Sequence, residues 1–133
     1  MDNQTKLSRN RISILILLAV FSLVILSSHT LAQSKLPRGT FVGGDWAITI
    51  GSKNQFRVRE KGKVVVVGTY TVTGDQIAFS NERGIRACTE AGMEVGKYKW
   101  AYDGKDLTLT KIEDNCEGRV NALATQSLVK QKM

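Results

Sequence analysis

Gly68-Thr69-Tyr70-Thr71-Val72-Thr73-Gly74-Asp75-Gln76-Ile77-Ala78-Phe79-Ser80 and Gly96-Lys97-Tyr98-Lys99-Trp100-Ala101-Tyr102-Asp103-Gly104-Lys105-Asp106-Leu107-Thr108-Leu109-Thr110 follow one pattern. Each runs Gly-x-Tyr-x-apolar, then a Gly/Asp turn, then apolar-x-apolar. Polar and apolar residues alternate at period two and the break falls on a turn dipeptide, which is how a β-hairpin with one dry and one wet face is written. Two successive hairpins imply an antiparallel sheet.

Upstream, Gly44-Asp45-Trp46-Ala47-Ile48-Thr49-Ile50 places Trp46, Ile48 and Ile50 on one face, and Gly51-Ser52-Lys53-Asn54 turns the chain. Gln55 to Glu60 sends Phe56 and Val58 inward and Arg57 and Arg59 outward, and Gly62 suits the positive φ of the next turn. Val64 to Val67 is apolar on both faces. Such a strand is either covered on its outer side or an edge exposed to pairing, and we expect a helix to cover it.

Downstream, Asp114-Asn115-Cys116-Glu117 predicts a helix N-cap at Asp114 with glutamate three residues on. Arg119 to Ala124 continues that helix for about two turns, and Ser127-Leu128-Val129-Lys130 supplies a closing strand. A further strand is expected around Arg86 to Thr89. The fold class is therefore mainly β: a small antiparallel up-and-down barrel of about seven to eight strands, with one short C-terminal helix. A sandwich of the same strands is the alternative.

Lys6, Arg9 and Arg11 precede an apolar run from Ile12 to Leu26, and Thr30 and Ala32 are small. This order predicts a signal helix over residues 1–32 cleaved after Ala32, a flexible lead-in over 33–40 and a barrel domain over 41–133. The run falls short of the roughly twenty residues that span a bilayer, so membrane contact is expected only through an uncleaved signal segment. Location is thus periplasmic or secreted.

Cleavage removes His29, the chain's one histidine. Without it, serine–histidine and cysteine–histidine catalysis are excluded and zinc sites lose their commonest ligand. Carboxylate pairs at Asp103 with Asp106, or Glu113 with Asp114, have adequate explanations as turn and cap residues. No enzyme activity, metal or cofactor is expected. Cys88 and Cys116 predict one disulfide, against a redox thiol or an intermolecular bridge.

Of 19 basic and 12 acidic residues, three and one lie in the signal, leaving 16 against 11 and a net charge of +5. Lys53, Arg57, Arg59, Lys61 and Lys63 crowd one hairpin, with Arg83, Arg86, Lys97 and Lys99 elsewhere. They form either a solvated face or a surface for an anionic partner such as a polysaccharide, lipid headgroup or acidic protein. Nucleic acid is not expected, because the aromatic residues alternate inward.

Gly44-x-Trp46 resembles the Gly-x-Trp opening of the lipocalins. Gly68 to Leu123 resembles small exported bacterial lipocalin-like domains, through Gly68-x-Tyr70, Cys88, Gly96-x-Tyr98-x-Trp100, Leu107-Thr108-Leu109, Asp114-x-Cys116-x-x-Arg119 and Leu123. The resemblance implies a small extracytoplasmic β-barrel with a disulfide, most members having no established activity. It also implies that Arg119 lies across Trp46 as a cation–π pair; the alternative is pairing with Asp114 or Glu117 on its own helix. Asn81 to Ala87 lacks the Gly-Pro step of that pattern and Thr89 to Val95 is longer, so no relative's ligand carries over. Trp46, Phe56, Tyr70, Phe79, Tyr98 and Trp100 are expected to face inward, where they either line a pocket for a small apolar ligand or fill the core.

Overall fold

The computed structural model describes residues 35–132; the expected signal helix falls outside them. Eight strands run β1 (Gly39–Gly43), β2 (Trp46–Ile50), β3 (Gln55–Glu60), β4 (Lys63–Thr73), β5 (Gln76–Arg83), β6 (Val95–Tyr102), β7 (Asp106–Glu113) and β8 (Leu128–Lys130). Each pairs antiparallel with its sequence neighbour, and β8 returns to β1 to close the barrel. Closure, not a two-sheet sandwich, is how this meander disposes of its edges. The doubled pattern gives β4–β5, joined at positive-φ Gly74, and β6–β7, joined at positive-φ Gly104.

Three boundaries depart from the sequence reading. Strand β1 begins at Gly39, inside the segment expected as a lead-in. Residues 86–89 form turn and loop instead of a strand. The single helix among the described residues, α1 (Glu117–Leu123), has Cys116 at its N-cap position without a side-chain cap. Asp114 is not the cap because its carboxylate is occupied elsewhere.

The valine run owes its two-sided burial to a bulge. Val58 opposes Val66 and Arg59 opposes Val64, so Val65 is the extra residue and both Val65 and Val66 are buried, while Val64 remains about half exposed. The Gly84–Ala87 turn, not the helix, lies on Val65: the Arg86 N–H donates to the Val65 carbonyl at 3.1 Å.

Buried aromatic rings fill the middle and one end of the barrel. Phe79 packs edge-on to Phe56 and Tyr98 at centroid distances of 5.0 and 6.0 Å, with Tyr70 at 6.5 Å. Such edge contacts add about 0.5–1.5 kcal/mol per pair beyond area burial. At the end away from α1, the Tyr70 hydroxyl donates to the Gly51 carbonyl and the Trp100 indole N–H to the Gly74 carbonyl, at 3.0 and 3.2 Å. Each ring thereby satisfies its polar atom on a turn.

The two Gly-x-Tyr motifs serve different neighbours. A Cβ at Gly68 would meet the Ser80 carbonyl and the Phe56 ring; one at Gly96 would meet the Asp114 carboxylate and Arg119. The first glycine admits a core aromatic ring. The second admits an ion pair.

Candidate functional site

Asp114, at the end of β7, and Arg119, on α1, are buried together. Arg119 Nε and Nη2 donate to the two Asp114 oxygens at 2.6 and 2.7 Å, a bidentate pair. The Tyr98 hydroxyl also donates to Asp114 Oδ2, and the Cys116 N–H to Oδ1 at 2.8 Å. Arg119 further donates to the Met93 and Glu94 carbonyls at 2.8 and 3.2 Å. The Asp114–Arg119 pair, with the Tyr98 hydroxyl on it, thus fastens β6, the end of β7, the loop before β6 and α1.

Electrostatics follow from that packing. Burial raises the Asp114 carboxyl, but the hydrogen bonds from Arg119, Tyr98 and Cys116 more than reverse it, holding the group below the ordinary carboxylate range. Burial, reinforced by the Asp114 carboxylate, pushes the Tyr98 hydroxyl far above its usual value. The Cys88–Cys116 disulfide, with Cα atoms 6.1 Å apart, ties the same corner to the loop after β5.

The expectation that Arg119 covers Trp46 is corrected by this geometry. The guanidinium over that indole belongs to Arg86, 6.0 Å from the ring centroid, and Arg86 Nε also donates to Glu60 at 2.6 Å. Arg119 is spent on Asp114, the alternative partner its own segment offered.

Between α1, the Gly84–Arg86 turn and the inner ends of β2–β5 lies a cavity of about 340 Å³. Its apolar wall is Trp46, Phe56, Val58, Val66, Ala122 and Leu123, and Ile85, 89% exposed, stands at its rim. Asn81, Arg86, Arg119 and Asn121 supply its polar groups. Asn81 is only 6% exposed and its Oδ1 has no hydrogen-bond partner, an arrangement that leaves a buried polar atom unsatisfied at a cost of about 1–3 kcal/mol.

Of the six aromatic residues expected to line a pocket, Trp46 and Phe56 reach this cavity. Tyr70, Phe79, Tyr98 and Trp100 are buried in the core. Asn81, Val66, Arg86 and Leu123 were not anticipated, although Asn81 continues the inward phase of Ile77 and Phe79 and was readable as a polar residue on a dry face.

The basic hairpin is partly neutralised. Lys61 lies 3.7 Å from Asp45, and Arg59 donates to Thr49 Oγ1 at 3.1 Å. Lys97 and Lys99 pair with Glu113 and Asp75. Lys53, Arg57, Lys63 and Arg83 are exposed. A second concentration of charge, not anticipated, lies at the β1–β8 seam, where Arg38, Lys105, Lys130 and Lys132 line one groove.

Among the carboxylates considered for catalysis, Asp103 accepts from the backbone N–H groups of Asp106 and Lys105, which hold it below its ordinary value. Among the described residues no cluster of three or more metal-ligating side chains occurs and no helix is long and apolar enough to cross a membrane. Comparison with protein-family models, curated proteins and solved structures returns no match.

Proposed function

We propose that this chain is an exported, non-catalytic lipocalin-like barrel that binds a small apolar ligand in the cavity beneath α1. The observation that carries the reading is a half-open apolar chamber with one buried, unpartnered amide: ligand sites are mostly apolar concavities with few placed polar groups. An eight-stranded, disulfide-closed antiparallel barrel with one short helix is compatible with a lipocalin-like fold, and the disulfide with an oxidising compartment. Non-catalytic action is supported by the structural employment of Asp103 and Asp114, whose lone pairs are taken up by turn and ion-pair contacts.

The test is thermal unfolding of the purified protein with a panel of small apolar compounds, alongside native mass spectrometry for a copurified molecule. A ligand at a hundredfold excess over its Kd stabilises by about 2.7 kcal/mol, a rise of roughly 10 °C or more in Tm for a domain this size. No shift with any compound and no copurified mass removes the cavity reading.

A second reading is favoured by the seam groove. Arg38, Lys105 and Lys132 have no carboxylate within ion-pair distance among the described residues, and exposed Arg57 sits on β3 opposite Thr49, which lines the same groove. An anionic polysaccharide, headgroup or acidic protein would dock there. In the same preparation, retention on an anionic matrix that is lost as salt rises is the result expected of it.

A further inference from the structure

The seam groove does not stop at the seam. It shares Thr40 and Gln131 with a second groove that reaches Asp45, Arg59 and Lys61. Together they make one trough along the outer face of β1, from Arg38 before the strand to Gly44 after it, roughly 20 Å at about 3.3 Å per residue. Arg38, Lys105, Lys130, Lys132, Arg59 and Lys61 line it, against one lining carboxylate, Asp45, which lies 3.7 Å from Lys61. The Lys130 stem lies across the start of β1, where a Cβ at Gly39 would meet it at 3.3 Å.

The floor of the trough is polar without being charged. Thr40 and Thr49 Oγ1 are 3.0 Å apart, and Arg59 Nη1 donates to Thr49 Oγ1 at 3.1 Å. Two hydroxyls carry two O–H donors and share one hydrogen bond, so one O–H is left for whatever lies in the trough.

Shape and pairing decide among anionic occupants. An extended acidic peptide gains most by adding a strand to a free edge, but β1 is paired to β2 along its length and to β8 at Phe41 and Val42. A bilayer surface is flat and calls for protruding apolar anchors, whereas Val42 and Ala47 are half-buried within the trough. A linear chain of acidic sugars meets neither objection. It is thin, carries a negative charge at each repeat, and turns hydroxyls and ring oxygens toward a polar floor.

We propose that this trough binds a linear acidic polysaccharide, with its carboxylates on Arg38, Lys105 and Lys132 and its hydroxyls on Thr40 and Thr49. This rests on the second reading above, an anionic partner at the seam, and names that partner's class.

Calorimetric titration of the purified protein with oligogalacturonate, its methyl ester, poly-glutamate of equal charge and phosphatidylglycerol vesicles tests it. Oligogalacturonate should bind about fivefold or more tighter than poly-glutamate, the scale of one or two added hydrogen bonds, and the uncharged ester and the vesicles should not compete with it. Arg38→Gln combined with Lys132→Gln should weaken it about five- to tenfold. Arg83→Gln combined with Lys111→Gln removes the same charge from exposed sites outside the trough and should change it less than about twofold. Thr40→Val combined with Thr49→Val should weaken oligogalacturonate about three- to tenfold and leave poly-glutamate unchanged. Poly-glutamate or vesicles binding as tightly as oligogalacturonate, or no loss in the threonine variant, overturns the polysaccharide assignment and leaves an anionic partner at the seam. Equal losses in the two charge variants, or no binding of any anion, remove the seam reading as well.

Discussion

Arg119→Met should destabilise the barrel by about 3–5 kcal/mol at neutral pH, measured as the shift in urea unfolding. The substitution keeps the apolar stem and removes the charge, leaving the Asp114 carboxylate buried with only the Tyr98 hydroxyl and the Cys116 N–H to answer it. Breaking one side of a buried pair has that size because the other charge stays behind. Acid provides the internal check. In the native protein Asp114 lies below its unfolded value of about 3.9, so its contribution is present above that pH and is lost as pH falls through the folded pKa. Without Arg119, burial dominates and the folded pKa rises above the unfolded one, so the variant gains from protonation at low pH. The gap between the two proteins should therefore begin to narrow above about pH 4, as the variant's raised carboxyl protonates, and go on narrowing below it as the native protein loses its own contribution. A loss under about 1 kcal/mol, or a gap that widens in acid, would show that the pair is incidental.

The second large effect belongs to the crosslink. Replacing Cys88 and Cys116 together by serine should cost about 3–4 kcal/mol in the chain-entropy account, for a bridge spanning 28 residues of sequence. That is roughly 15 °C or more in Tm for a domain of this size. The loss should not add simply to that of Arg119→Met. Cys116 precedes the first helical residue and its N–H rests on Asp114, so both changes loosen the same corner and the double variant should fall short of the sum. Full additivity would mean that the disulfide and the ion pair stabilise separate parts of the fold.

How much of this was legible depended on whether a residue's local pattern agreed with its long-range use. The hairpins β4–β5 and β6–β7 were, because alternation and turn glycines speak with one voice. Strand β1 was not. Gly39-Thr40-Phe41-Val42-Gly43 carries glycines at both ends and one fully buried large side chain, Phe41, and is fixed by pairing to β2 and to the distant β8. Asp114 reads locally as a cap or as a partner for Arg119, yet Tyr98 also claims it from β6, which no window of a few residues reveals. The site was half legible. Inward aromatic residues follow from period two, but which of them line a cavity is decided by where α1 and the Gly84–Arg86 turn come to rest. Arg86 over Trp46 is likewise a product of that turn, in which Arg86 donates its backbone N–H to Val65.

The seam between β1 and β8 fixes an order of events. It rests on two Cα pairings, Phe41 with Lys130 and Val42 with Val129, between segments separated by almost the whole barrel. A chain threaded through a membrane pore from its N-terminal side would offer β1 long before β8 emerged. Through that interval the outer edge of β1 would stand unpaired, open to strands of other chains. Cys116 and Arg119 also arrive late. On that route closure, crosslinking and burial of the ion pair would be events of the last quarter of the sequence, and the earlier strands would have to remain soluble as an open sheet until then.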